Sequence, residues 1–491
     1  VFTTMDPRER LGKLRAQIEA KMATPKPVGM VICDGKLTSP CDDAKLKTHA
    51  CPKSPSNLFD ELQASLEVPV MQKGTRPYKK ASDLGYIEYD AAGKPVIQEK
   101  EKLCVTMTIP KQGTMPKGGW PVVIYGHGTG GNYRSFILNK TANLLTEVKD
   151  SAGSDSAGFA MISIDAPLHG RRAKSTDSPE DLVFNLLNPR ASRDNVVQGV
   201  ADKLQLVRLI KAFSVDDKTS PTKKAIKFDP KNIYYLGHSQ GANEGVPFLA
   251  VEPEVRGAVL SGAGGYMIGT FLEKTKPRNV AGLIKLVLAD PHLGTTHPLL
   301  NLLQLFYEEV DSVNYGKALF NTPPSGQEPK HVFMTRGVAD GYTPGGTTDA
   351  LIWAMGMRKV AQDAQRCGDT KCTGTENCKT CKQDCGECSK DAYCGDGKCG
   401  SGENCRNCPG DCPKCPLIFP TDVPPVKGNW QKGGKKTTIG VAEYASDGTY
   451  DDHQVLFRNP AAKAQCSHFL GSAVWDTEGG PTPPQPQGTS N

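Results

Sequence analysis

The sequence predicts an α/β protein, a mostly parallel sheet with helices packed on both faces. Three observations carry that reading. From about residue 101 onward, short apolar runs alternate with stretches of helical spacing, the pattern of strands joined by crossover helices. One such run, Ile233 to Leu236, leads directly into Gly237-His238-Ser239-Gln240-Gly241 and then into a small-residue helical stretch, Ala242 to Val251. In a strand, tight turn and helix of this kind, small flanking residues lift the serine hydroxyl clear of the backbone above the sheet edge. Finally, polar and glycine-rich segments begin where other apolar runs end, and in parallel sheets the carboxyl ends of the strands carry the working residues.

Taken in order, residues 1–100 read as an N-terminal extension. Asp6 to Met22 has helical spacing, with Leu11, Leu14, Ile18 and Met22 on one face. The Pro/Lys-rich stretch after it, with Cys33, Cys41 and Cys51, reads as a loop-dominated wrap pinned by one or two disulfides. The sheet core is expected over 101–366 and again over 416–478. Its strands are Leu103 to Pro110, Val122 to Tyr125, Ala160 to Asp165, the run into Gly237, Val255 to Ser261, residues 331–335 and Thr438 to Tyr444. Asn195 to Phe213 is an amphipathic helix through Val197, Val200, Leu204, Val207 and Ile210, and Pro460 to Val474 is the last helix. The leucine-rich stretch 265–322 fits a helical cap over the site and fits ordinary helix packing equally well. As a cap, its apolar residues would line an acyl pocket. Residues 479–491 read as a flexible tail.

Seventeen cysteines are present, and those from Cys367 to Cys415 form a double repeat. The units run Cys367 to Cys388 and Cys394 to Cys415, with the same six cysteine positions in each. Neither unit has enough aliphatic residues to build a core, so cross-links must hold it. Carboxylates recur as well: Asp369 and Asp396, Glu376 and Glu403, Asp384 and Asp411. Clustered oxygen ligands in a small rigid unit would suit a structural calcium ion, or they are solubilising charge on a disulfide knot. A zinc reading of the C-x-x-C pairs is weaker, because no histidine lies within the repeat.

Cysteine density of this kind suggests metal in a cytosolic chain and a disulfide framework in a secreted one, and the expectation here is a secreted, cell-surface or periplasmic protein. The chain opens Val-Phe-Thr-Thr-Met-Asp with no apolar leader, which fits a processed product. No apolar run is long enough to span a bilayer. The charge, 59 basic against 53 acidic residues for a net +6, is mild and scattered, and gives no ground for a nucleic-acid partner.

A serine hydroxyl is a poor nucleophile until a base takes its proton, an acid orients that base, and backbone N–H groups await the developing oxyanion. Ser239 is the candidate nucleophile. His453, in the loop after the last strand, is the candidate base, preferred over His292, His297, His331 and His468. Asp340, after the strand at 331–335, is the candidate acid, with Asp447, Asp451 and Asp452 as competitors. The oxyanion donors are expected at the N–H groups of Gln240 and Thr129, the latter in the loop His127-Gly128-Thr129-Gly130. His169 precedes the serine, which is the wrong chain order for the base. It is expected to brace the loop beside the site, and His238 to hydrogen-bond locally.

Taken together, YGHGTGG (125–131), IDAPLHG (164–170), GHSQG (237–241), GVADGYTP (337–344) and the late His453 resemble the α/β-hydrolase fold. The resemblance implies a serine hydrolase of carboxylic esters that uses no cofactor for catalysis and acts on an ester with an apolar acyl or aromatic part. More narrowly, the chain resembles bacterial exported esterases and lipases, including the virulence-factor lipase type acting on lysophospholipids, with Pro298 to Tyr315 as extra support. The cysteine repeats resemble CGDGxC…ENCxxCxxDC units of exported proteins from myxobacteria-like organisms. They depart from the hydrolase pattern by standing between the candidate acid and base. Three alternatives stay open: a polyester hydrolase with the same residues, a serine peptidase of the same fold, and a non-catalytic adhesion protein that works through its repeats.

Overall fold

The computed structural model describes residues 6–36, 38–42, 49–52, 54–148, 158–360, 419–422 and 426–475. Its central sheet contains β1 (Val28–Ile32), β2 (Phe59–Val70), β3 (Glu99–Pro110), β4 (Trp120–Gly126), β5 (Ala160–Ile164), β6 (Ile226–His238), β7 (Val255–Ser261), β8 (His331–Gly337), β9 (Lys359–Val360), β10 (Thr421–Asp422) and β11 (Ile439–Tyr444). They lie in the order β1-β2-β3-β5-β4-β6-β7-β8-β11-β9-β10. From β5 to β10 every neighbour runs parallel. At the other edge β1, β2 and β3 pair antiparallel, and β3 meets β5 antiparallel. The sheet is therefore mixed but mostly parallel.

Its central strands are buried on both faces, which is why they read as near-continuous apolar runs rather than as alternation. On one face lie α1 (Pro7–Lys21), α2 (Pro189–Ala212) and α3 (Gln240–Val251). α1 is N-capped by Asp6, whose carboxylate accepts from the Arg8 N–H, and it buries Leu11, Leu14 and Ile18. α2 begins with Asn188 as N-cap and Pro189 in its first turn, and it seats Val197, Val200, Leu204, Val207 and Ile210 in the core. Full burial of each such side chain is worth about 1.5–3 kcal/mol. Between β7 and β8 come α4 (Met267–Glu273), α5 (Val280–Leu288) and α6 (Pro298–Tyr307). α7 (Gly345–Met355) follows β8, and α8 (Pro460–Trp475) covers the second face with Phe469 and Leu470 in its core.

Strand registers align the carboxyl ends. His238 stands opposite Ser261, and Ser261 opposite Thr335. Gly126 stands opposite Gly237, and Gly337 opposite Tyr444. One sheet edge therefore presents the turns after β4, β6, β7, β8 and β11 together. The close approach of α3 to β4 is possible only because residue 241 is glycine: a Cβ there would lie 2.1 Å from the Gly126 carbonyl oxygen.

The N-terminal residues do more than wrap the core, and the sheet begins before residue 101. β2 pairs with β3 along its whole length, from Phe59 opposite Pro110 to Val70 opposite Glu99. Leu62, Ala64, Leu66, Val68 and Val70 do alternate in sequence, but Glu61 and Gln63, also buried, break the expected polar-outward pattern. Two disulfides hold this region, Cys33–Cys51 and Cys41–Cys104, the second tying the wrap to β3. Cys466 is a free, buried thiol, pushed up to about 12 by burial. The repeats at Cys367 to Cys415 lie outside the described residues. The chain leaves the sheet after β9 and returns at β10, and those two strands pair with each other at the far edge.

The Cys41–Cys104 bridge closes a separation of 63 residues. Replacing both cysteines by alanine is expected to cost about 4 kcal/mol by the loop-entropy estimate. Urea unfolding of the double variant against the parent protein checks this.

Candidate active site

Ser239 sits at φ 54°, ψ −119°, a backbone conformation that is rare outside glycine. Two contacts hold it there. Its N–H donates to the Ser261 carbonyl at 2.8 Å, and its carbonyl accepts the Asn243 N–H at 3.0 Å. The strain lies between the end of β6 and the start of α3, as the sequence pattern requires of a nucleophile elbow.

His453 lies in a single 3-10 turn, Asp452–Gln454, just past β11. Its Nδ1 is 2.7 Å from Asp340 Oδ2. An ionised carboxylate can only accept, so Nδ1 carries the proton and Nε2 is left with a free lone pair. Asp340 is fixed in turn by the N–H groups of Tyr342 and Thr343, at 2.8 and 2.9 Å from its Oδ1. The three other carboxylates near His453 are otherwise engaged. Asp447 accepts from its own turn at Thr449. Asp451 accepts the backbone N–H of His453 and pairs with Lys276. Asp452 accepts from Ala339 and Ser446 N–H groups.

Ser239 and His453 line one cleft of about 570 Å³, together with Gly128, Thr129, Tyr342 and Phe457. A narrower apolar lobe of about 100 Å³ opens from the same serine and is walled by Val196, Met267, Phe271, Tyr307 and Val310. Four of those five side chains come from the 265–322 stretch, so its helices do face the serine. Thr129 and Gln240 are neighbours: the Thr129 hydroxyl donates to Gln240 Oε1 at 3.0 Å. The chain continues inward, with Gln240 Nε2 donating to Glu244 at 2.7 Å and Lys203 Nζ donating to Glu244 at 2.5 Å. The N–H of Thr129 meets no acceptor among the described residues, and that of Gln240 is one of the unpaired donors of the first turn of α3.

Two histidines clasp the Gly128–Gly130 loop to the 165–169 loop. His127 Nε2 accepts the Ala166 N–H at 2.8 Å, and its Nδ1 donates to the Gly128 carbonyl at 2.9 Å. His169 Nε2 accepts the Gly130 N–H at 2.9 Å, and its Nδ1 donates to the Pro167 carbonyl at 2.9 Å. His169 thus braces the loop. Burial, with His169 alongside, pushes His127 down to about 4, and burial likewise lowers His169. Burial opposes ionisation of Asp165, but His49 and His127 beside it hold its carboxyl below the usual range. Its Oδ1 accepts the Tyr133 N–H at 2.9 Å.

His238 departs from expectation. It makes no local hydrogen bond among the described residues, and its buried Nδ1 has no partner. It packs instead against the rings of His453 and Phe457, each centroid 4.7 Å away, where the elbow sets it on the cleft wall. Burial, then the neighbouring His453, holds it well below the ordinary histidine value. His331 accepts the Thr438 N–H at 3.0 Å, and burial pushes it down to about 4.

Sequence reasoning did not single out several positioning residues. Tyr342 stacks on His453, with centroids 4.8 Å apart and ring planes at 22°. Glu61 on β2 grips Arg134 through contacts of 2.6 and 3.0 Å, bracing the segment after the Gly128–Gly130 loop. Gly262, at φ +60°, lets His453 lie against the backbone: a Cβ there would be 2.9 Å from His453 Cε1. The Ser261-Gly-Ala-Gly-Gly265 run was the available signal for that contact, and Tyr342 stood in the same loop as Asp340.

The six repeat carboxylates considered for calcium, Asp369, Glu376, Asp384, Asp396, Glu403 and Asp411, lie outside the described residues. Among the described residues, no group of three His, Cys, Asp or Glu side chains could hold a metal ion, and no helix is long and apolar enough to cross a membrane.

The architecture is the α/β-hydrolase fold. No family model matches the chain, and no curated protein matches it by sequence. Among solved structures it is similar to an acetyl xylan esterase from a Paenibacillus species, at 13% identity over 72% of this chain and 86% of that one, with a TM-score of 0.42. It is also similar to acetyl xylan esterase 1 from a Thermoanaerobacterium species, at 13% identity over 71% and 84%, with a TM-score of 0.40. A peroxisomal alpha-beta-hydrolase from Saccharomyces cerevisiae is similar at 12% identity over 61% and 80%, with a TM-score of 0.34.

Two outcomes are expected. His127, His169, His238 and His331 are held neutral when folded and regain an ordinary value near 6.5 on unfolding. Between about pH 6.5 and about pH 4 the unfolded chain binds more protons, so stability is full above that window and falls as pH falls through it. For a histidine held near 4, the loss approaches about 3 kcal/mol. Urea unfolding across that pH range checks the slope, which His127→Gln should flatten. Separately, Gly262→Ala should lower kcat at least roughly tenfold, about 1.4 kcal/mol of barrier, by displacing His453. A fold check by circular dichroism accompanies the kinetics.

Proposed function

We propose that the protein is a serine hydrolase of carboxylic esters that works through an acyl-enzyme. The observation that carries this is the Asp340–His453 hydrogen bond of 2.7 Å beside a strained Ser239 on the wall of one cleft. In this reading Ser239 Oγ attacks the ester carbonyl, and His453 Nε2 takes the hydroxyl proton. Asp340 fixes the tautomer and stabilises the imidazolium that forms. The N–H groups of Thr129 and Gln240 receive the oxyanion, with the histidine clasp holding Thr129 in place. A donor of this kind is typically worth about a hundred- to a thousandfold in rate. His453 then passes the proton to the leaving alcohol, and water releases the acyl group by the same route.

The apolar lobe of about 100 Å³ takes the acyl part, and its size favours a short chain over a fatty acyl chain. That moves the reading from the lipase and lysophospholipase side of the resemblance toward a short-chain esterase. The wider polar cleft takes the alcohol. The two disulfides support placement in an oxidising compartment, secreted, cell-surface or periplasmic. A structural calcium in the repeats remains a proposal from their carboxylate pattern.

The test is turnover of p-nitrophenyl esters from acetate to octanoate. Acetate or butyrate should be preferred, and Ser239→Ala and His453→Ala should each lose at least about a thousandfold in kcat, as triad members do. Retained turnover in Ser239→Ala would remove the serine mechanism. Cleavage of peptide anilides with no ester turnover would favour the peptidase, a preference for insoluble polyester the polymer hydrolase, and inert Ser239 the adhesion protein. In the opposite direction, Phe271→Ala should shift the optimum toward longer acyl chains.

A further inference from the structure

The polar cleft carries a charge that the proposed reaction does not use. Lys140, Arg458 and Lys463 all line it, together with His453 and Gln454. They come from three segments: the turn before the short helix Thr141–Thr146, the end of the helical turn Val455–Arg458, and α8. None of the three side chains makes an ion pair or a hydrogen bond with a described residue. Cations set back from the cleft are paired instead. Lys203 is paired with Glu244, Arg134 with Glu61, Arg172 with Asp202 and Arg336 with Glu443. Among the described residues, the one acid on the cleft wall, Glu180, lies 3.7 Å from Lys274 and so has its own cation.

Three like charges are close enough to feel one another. Partial burial, then Arg458 and Lys140, lowers the basicity of Lys463. Holding unpaired cations together beside a cleft is unfavourable in the free protein and becomes favourable when an anion enters. The apolar lobe shares Ser239 with the cleft, has the lining that suits an acyl chain, and is lined by none of the three cations. The cations therefore face the alcohol half of the substrate.

We infer that the cleft selects esters whose alcohol portion carries a negative charge, a carboxylate or a phosphate, through Lys140, Arg458 and Lys463. This rests on the ester-hydrolase reading above. It adds a specificity site to that reading and leaves the chemical step unchanged.

Matched acetyl esters test it. The carboxylate arm compares the acetyl esters of 3-hydroxybenzoate and 3-hydroxybenzamide. The phosphate arm compares monoacetylated glycerol phosphate with monoacetylglycerol. The wild-type protein should favour the anionic member of at least one pair by ~tenfold in kcat/KM, mainly through KM, the scale of three partly exposed charge contacts. Added salt should shrink the preference. The triple variant Lys140→Met, Arg458→Met, Lys463→Met should lose it while keeping turnover of the neutral esters within about twofold, as expected of charges that steer and bind without touching the reacting atoms. The exposed single variants Lys140→Met and Arg458→Met should each lose roughly threefold, which covers the case where the triple variant folds poorly. Whichever pair shows the preference identifies the anion. Equal kcat/KM for charged and neutral members in both arms, or an unchanged preference in the variants, overturns the inference and leaves the esterase reading standing. Absence of all ester turnover, with Ser239 inert to a fluorophosphonate, overturns both.

Discussion

The structure depends most on the contact between Gly126 and Gly241. Helix α3 lies so close to β4 that a single methyl group at 241 would reach 2.1 Å from the Gly126 carbonyl oxygen. That closeness forces the abrupt turn between β6 and α3, and the turn forces Ser239 into its strained backbone conformation. It also brings the segment after β4 beside the start of α3, so that Thr129 and Gln240 touch. The strain is tolerated because packing on all sides over-determines it. The flanking strands contribute through register: with His238, Ser261 and Thr335 level, the end of β7 can hold the Ser239 N–H, and the loop after β8 delivers Asp340 to the same edge.

Around that turn the polar groups form two sets. In one, Thr129, Gln240, Glu244 and Lys203 form a hydrogen-bonded chain that runs inward from the cleft wall and ends in a buried ion pair. Breaking such a pair leaves an uncompensated charge in the interior, so the chain acts as a rigid spacer between α2 and the Thr129 side of the cleft. The other set, Glu61 with Arg134 and Asp165 with Tyr133, anchors the far side of the Gly128–Gly130 loop to β2 and to the end of β5. Residues before 101 are therefore part of the site's support, and the two disulfides that hold them bear on the site as well as on overall stability.

Much of this was legible in the chain, and the illegible part has a physical pattern. The parallel strands declared themselves because burial on both faces makes them continuously apolar, as in Val122-Val-Ile-Tyr125. The elbow was legible because only small residues fit the turn. β2 was not, since its alternation of Leu62, Ala64, Leu66 and Val68 is interrupted by Glu61 and Gln63, whose burial makes sense only once Arg134 and Ser39 are seen to meet them. Asp340 and Asp452 could not be separated by composition. Both stand in turns near the sheet edge, and only the fold decides which carboxylate reaches a ring nitrogen and which is consumed by backbone donors. The stacking of Tyr342 and the role of Gly262 are contacts across the fold, with no local pattern of their own.

The number of histidines around the site then has a reason. In the proposed mechanism His453 must accept a proton and return it, and another cation forming nearby would oppose that. His238 lies 4.7 Å from His453, ring to ring. A second positive charge at that distance would oppose the imidazolium by on the order of 3 kcal/mol at an effective dielectric near 20. The structure prevents this by burying His238 against Phe457 with no partner for its Nδ1. His127 and His169 are kept neutral by burial as well, and each Nε2 is also occupied by a backbone N–H, so protonation would require breaking a bond that holds the Gly128–Gly130 loop. His453 alone in this cluster combines a carboxylate on Nδ1 with an Nε2 left uncommitted toward the cleft. Its neighbours, chemically identical side chains, are disarmed by what occupies their nitrogens and by what surrounds their rings.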